Sequence, residues 1–157
     1  MSELLFRDNA YLATCETTLL DVRSDGGLVF DRTFFYATSG GQPGDTGSIR
    51  RANGEEIRVA STVTGETKDD IVHIPAESSA SPSVGEKFII SIDWQRRLNL
   101  MRMHTACHIL SVVCPFPITG AAVGEEERRV DFDLQDPTYT REFVTEEMQK
   151  NVKAAHP

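Results

Sequence analysis

Phe34-Phe35-Tyr36-Ala37-Thr38-Ser39-Gly40-Gly41-Gln42-Pro43-Gly44-Asp45-Thr46-Gly47 is the stretch on which the reading of the fold turns. Four glycines and a proline fall within residues 40–47, a density that no regular helix or strand tolerates. The segment is therefore a loop. Because glycine has no Cβ, the loop's main-chain N–H groups can approach a ligand closely. The same composition also makes a plain surface turn, and the residue types leave both readings open.

Outward from this loop the chain reads as short strands. Cys15–Val22, Leu28–Asp31, Ser48–Arg51, Glu56–Val63, Ile71–Ile74 and Lys87–Asp93 are rich in branched and aromatic residues. Ser24-Asp25-Gly26-Gly27, Asn53-Gly54, Gly65, residues 78–83 and Gly85 punctuate them as turns. Strands recurring about every ten residues with turns between predict a small sandwich or barrel over residues 1–93. Leu4, Leu5 and Phe6 suit a short edge strand or a pinned terminus, and His73, flanked by Val72 and Ile74, reads as a structural or surface histidine rather than a ligand.

From Trp94 the period changes. Trp94, Leu98, Met101, Thr105, His108, Ile109 and Val112 recur at threes and fours, which predicts a helix to about Val113 with Asp93 as N-cap and Pro115 and Pro117 beyond its end. A loop through Gly120 and Gly124, a strand Arg129–Leu134 and a helix Thr145–Ala155 capped by Thr145 are expected to follow. The fold class predicted is α+β, with residues 94–157 forming a second domain.

Composition narrows the function. With 39% hydrophobic and 25% charged residues, the chain can build an ordinary globular core. It has no run of 18 apolar residues, so no membrane span is expected. Met1–Arg7 does not read as a secretory leader. Three unpatterned cysteines, Cys15, Cys107 and Cys114, argue against a disulfide framework and for the cytoplasm. A net charge of −8 disfavours broad contact with nucleic-acid backbone. A small contact with an RNA end would need a local basic cluster, for which Arg50-Arg51 with Arg58 and Arg96-Arg97 with Arg102 are candidates, unless these are simply solvated surface arginines. Nothing in the sequence indicates an oligomeric state.

The chemistry-bearing motif is His104-Thr105-Ala106-Cys107-His108. Histidines at i and i+4 share a helix face, and two neutral imidazoles there can close on one metal ion, most often zinc. Thr105 stands where a zinc peptidase of the H-E-x-x-H type carries its glutamate base, so that chemistry is excluded. The alternative is a pair of polar positions on a partly buried helix, one of them bonded to Asp45 or Asp131.

Residues 35–47, then Ile92-Asp93-Trp94-Gln95-Arg96-Arg97, then Met101-Arg102-Met103-His104-Thr105-Ala106-Cys107-His108-Ile109-Leu110 together resemble the editing module of alanyl-tRNA synthetases, most closely its free-standing AlaX-type form. The resemblance runs from about residue 3 to the end of the chain. It implies a Gly-rich β-barrel followed by an α/β editing domain that hydrolyses Ser-tRNA(Ala) or Gly-tRNA(Ala) at the acceptor end. It also implies Zn2+ held by His104 and His108 together with a later Cys-x-x-x-His pair. Gly40, Gly41, Gln42, Asp45, Thr46 and Cys107 would lie at the substrate, with no catalytic side chain beyond the metal site. Two departures stand out. Cys107 replaces the family's usual threonine, and no cysteine follows Cys114, so the chain carries half of the implied zinc shell and a longer parent protein is expected. His156 is the other candidate ligand. The rivals are a catalytically inactive tRNA-binding or assembly module of the same fold, the related threonyl-tRNA synthetase editing domain, and an unrelated metallohydrolase.

Overall fold

The computed structural model describes residues 2–77, 82–125, 128–134 and 139–154. The chain divides into two compact units, residues 1–97 and 98–157. Strands β1 (Glu3–Leu4), β2 (Thr14–Val22), β3 (Leu28–Phe30), β4 (Arg32–Thr33), β5 (Gly47–Arg51), β6 (Glu56–Thr64), β7 (Ile71–Pro75) and β8 (Lys87–Ile92) precede helix α1 (Trp94–Val113). Strands β9 (Ile118–Val123) and β10 (Arg128–Phe132) and helix α2 (Arg141–Ala154) complete the order.

In the first unit six strands close into an antiparallel barrel in the order β2-β3-β7-β6-β5-β8. The seam is the pairing of β2 with β8, from Thr14 opposite Ser91 to Thr18 opposite Lys87. The alternation of β8, with Phe88, Ile90 and Ile92 buried and Lys87 and Ile89 facing out, shows why the period-two pattern reads as a strand. The inward residues, Leu19, Phe30, Phe34, Phe35, Ile49, Ile57 and Val59 among them, form one core with those of β8. Burying each such side chain contributes about 1.5–3 kcal/mol. The sequence expectation of a small barrel within an α+β fold is what the structure has.

Two glycines of the loop are required by close approach rather than by turn geometry. A Cβ on Gly44 would lie 1.9 Å from the Thr62 carbonyl oxygen, and one on Gly47 would lie 2.1 Å from that of Ser91. The Gly-rich segment is thus pressed against the barrel wall at its C-terminal end.

His73 is fully buried in β7, in edge contact with the rings of Phe30 and Phe35. Its Nδ1 faces the Leu28 carbonyl oxygen at 3.0 Å, so Nδ1 carries the proton and Nε2, 2.9 Å from Thr33 Oγ1, accepts. Burial pushes its pKa down to about 4 from 6.5, against a smaller opposing effect of the Leu28 bond. Between those values the unfolded chain binds a proton that the folded chain refuses. Stability therefore falls as pH drops from 6.5 toward 4, at about 1.4 kcal/mol per unit and roughly 3 kcal/mol in all. Urea denaturation across this range is expected to show that slope, and His73→Asn to remove its share. An unchanged slope in the variant would contradict the assignment.

The second unit holds the remainder of α1, the antiparallel β9–β10 pair and α2. Phe116, Tyr139 and Phe143 form a chain of ring contacts within it. Three sequence expectations are corrected here. Residues 118–123 form a strand, not a loop, because Gly120 sits opposite Asp131 and the carboxylate fills the place of a Cβ, 2.7 Å away. Helix α2 begins four residues earlier than predicted, with Thr140 Oγ1 accepting the Phe143 N–H at 3.2 Å, so Thr140 rather than Thr145 is the cap. Of the predicted apolar stripe on α1, Thr105, His108 and Val112 are exposed, Val112 by 70%. Ala155 and His156 lie outside the described residues. No described helix is long and apolar enough to cross a membrane.

Candidate functional site

Asp93 starts α1 as the sequence predicts: its Oδ1 accepts the Arg96 N–H at 3.1 Å, and its carbonyl accepts that of Arg97. Ten residues into the helix, on the second unit, His104 and His108 stack with ring centroids 4.9 Å apart and planes at 24°. Their Nε2 atoms are 3.1 Å apart. Two ligands at 2.0–2.1 Å from a tetrahedral zinc lie roughly 3.3 Å apart. The pair thus already has nearly the spacing of two corners of such a shell. The same contact has the length of an N–H···N hydrogen bond from one ring to the other. Among the described residues, no group of three or more His, Cys, Asp or Glu side chains is assembled in a way that could hold a metal. The residues present therefore fit half of a zinc site. Cys107, half-buried, precedes His108 on the helix. Burial raises the Cys15 thiol to about 11 and pushes that of Cys114 up as well.

The Gly-rich segment belongs to the first unit. Ser39 and Gln42 exchange backbone bonds at 3.1 and 3.0 Å around Gly40 and Gly41, whose φ angles are +58° and +76°. Positive φ at both central residues is the type I′ hairpin turn, which glycine adopts without penalty. Gly40 and Gly41 are exposed at the tip while Gln42 is buried.

Asp45 and Thr46, placed by the resemblance at the substrate, have main-chain and buried roles in the structure. Asp45 is 1% exposed; its carboxylate accepts the Tyr36 N–H at 2.6 Å and the Nε and Nη2 of Arg97. Thr46 offers its carbonyl to the Asp93 N–H at 2.8 Å, just before α1. The suggestion that Asp45 or Asp131 holds a histidine finds both carboxylates engaged elsewhere, Asp45 by Arg97 and Asp131 by Arg129. The basic clusters are also revised. Arg97 is 3% exposed and is no surface cation. Arg96 donates to the Gly44 carbonyl at 2.8 Å, and Arg51 is paired with Glu55 and Glu86. Arg50, Arg58 and Arg102 remain exposed. The sequence reading missed Arg97 as a partner of Asp45. The available signal was a lone carboxylate in a Gly-rich loop and two arginines in the first turn of the long helix.

A family model described as tRNA synthetases class II (A) matches residues 12–96, which cover the barrel and the start of α1. Full-length comparisons extend further. An alanyl-tRNA editing protein AlaX-M of Methanosarcina mazei is 40% identical over 144 residues, 86% of this chain and 57% of that protein. The AlaX-M of Saccharolobus solfataricus is 33% identical over 93% of this chain and 62% of its own length. An alanine–tRNA ligase of Aeropyrum pernix is 32% identical over 93% of this chain and 16% of its own length. The chain thus spans roughly three fifths of the length of the AlaX-M relatives it matches. It belongs to the class II (A) tRNA synthetase family, and within it aligns with the AlaX-type alanyl-tRNA editing proteins.

Proposed function

We propose that the protein is a zinc-dependent trans-editing hydrolase that cleaves the ester of misacylated alanine-specific tRNA, Ser-tRNA(Ala) or Gly-tRNA(Ala), in the cytoplasm. The observation that carries the reading is the convergence of the His104 and His108 Nε2 atoms, 3.1 Å apart, on one turn of α1. Its context is a chain that aligns with alanyl-tRNA editing proteins. Each imidazole would hold the ion through a neutral Nε2 while Nδ1 keeps its proton. Zinc, when bound, supplies Lewis-acid polarisation of the ester carbonyl. Two further donors are needed, and the longer relatives have room for them outside the aligned portion. Gly40 and Gly41 would offer main-chain N–H groups to the acceptor end of the tRNA. Gln42 supports that turn, and Cys107, next to His108 on α1, would face the aminoacyl group. With a net charge of −8, the contact with tRNA is confined to that end.

The test is deacylation of Ser-, Gly- and Ala-charged tRNA(Ala) by the full-length protein, with and without chelator. Hydrolysis of Ser- or Gly-tRNA(Ala), sparing of Ala-tRNA(Ala), loss with chelator and recovery with zinc are expected. No hydrolysis by zinc-loaded protein would favour the second reading, a catalytically inactive tRNA-binding or assembly module.

A further inference from the structure

We propose that Asp45 and Arg97 are positioning residues for the Gly40–Gly41 hairpin, holding it in the shape in which it receives the tRNA end. That task for the hairpin rests on the function proposed above; the geometry of the brace does not.

The segment 36–45 is a ladder of three rungs. At its base the Tyr36 N–H donates to the Asp45 carboxylate at 2.6 Å, and the Asp45 N–H donates to the Tyr36 carbonyl at 2.9 Å. In the middle the Gly44 N–H donates to Thr38 Oγ1 at 2.9 Å. At the top Ser39 and Gln42 close the turn. The Gly40 corner of the tip is open, since a Cβ there would meet no atom within 4 Å, and Tyr36 Oη reaches up from the base to donate to the Ser39 carbonyl at 3.4 Å. The shape of the tip is therefore set from below.

The base is fixed by two consecutive arginines of the first turn of α1. Arg97 grips both Asp45 oxygens and donates through Nη2 to the Phe34 carbonyl at 2.8 Å and through Nη1 to that of Ala10 at 3.3 Å. Arg96 donates to the Gly44 carbonyl at 2.8 Å. A charge pair this deeply buried is a poor source of stability, because desolvation offsets its attraction. What a planar guanidinium on a carboxylate does supply is a single fixed orientation. Here that orientation is imposed on the residue that closes the base rung.

The test uses Arg97→Lys, which keeps the charge and loses the fork, and the double variant Arg97→Met/Asp45→Leu, which removes both charges together and strands neither. Both are studied zinc-loaded and full length, below their melting transitions. Amide hydrogen exchange at Gln42 and Gly44 is expected to quicken about tenfold or more relative to the amides of β6 and β8. In deacylation of Ser-tRNA(Ala), KM is expected to rise about tenfold with kcat and zinc content within about twofold. Exchange that rises uniformly across the barrel, or exchange and KM that stay at wild-type values, would assign the pair to stability alone and overturn the proposal. If wild-type protein deacylates nothing, the deacylase reading fails, and the exchange measurement still decides whether the pair shapes the hairpin.

Discussion

Replacing His104 and His108 together with alanine is expected to abolish zinc binding and to reduce deacylation by about a thousandfold or more. The two Nε2 atoms already stand 3.1 Å apart without an ion between them, so little rearrangement is needed to bind one. Half a shell removed leaves too few donors for a four-coordinate site. Polarisation of the ester carbonyl by a bound metal is worth several kcal/mol of transition-state stabilisation, and about 4 kcal/mol is a factor of a thousand. Both side chains lie outside the barrel core, so circular dichroism should report a folded protein. Elemental analysis of the purified variant is the direct check; undiminished zinc would remove the histidines from the site.

Arg97→Met is expected to be strongly destabilising, costing about 3–5 kcal/mol, the usual penalty for leaving a buried charge without its partner. Asp45 is 1% exposed and takes its charge compensation from Arg97. The Phe34 carbonyl loses a donor in the same change. For a unit of this size the melting temperature should fall by about 10 °C or more. Adding Asp45→Leu to Arg97→Met should recover part of the loss, because no charge is then stranded. Urea titration of the three proteins checks this, and a loss under about 1 kcal/mol for the single variant would show that water or another cation reaches Asp45.

These outcomes bear on what the sequence could disclose. The strands of the barrel were legible because one face is buried and one is wet, so Lys87–Ile92 alternates visibly. The Asp93 cap and the shared face of His104 and His108 are local and follow from helix geometry alone. What was not legible depended on partners far along the chain. Arg97 looks like one more cation in Gln95-Arg96-Arg97, and only its carboxylate, 52 residues earlier, makes it a buried residue. Gly120 looks like a loop residue until Asp131 is placed across from it. Thr145, followed by Glu146 and Glu147, imitates a helix start more strongly than Thr140 does, yet the helix is already under way at Arg141. The closing of β2 on β8 is likewise beyond the reach of any local pattern.

That seam also dictates an order of assembly. Thr14 meets Ser91 across 77 residues, and β8 is the last strand of the barrel to be synthesised and the one that joins both β2 and β5. A nascent chain can form the neighbouring hairpins early, but it cannot complete the barrel until Ile92 has left the ribosome. The entropy of closing so long a loop makes this final step slow relative to the hairpins. During that interval Leu19 and Ile49 lack their cover of Phe88 and Ile90. Protection of the emerging chain by chaperones is most valuable in that period.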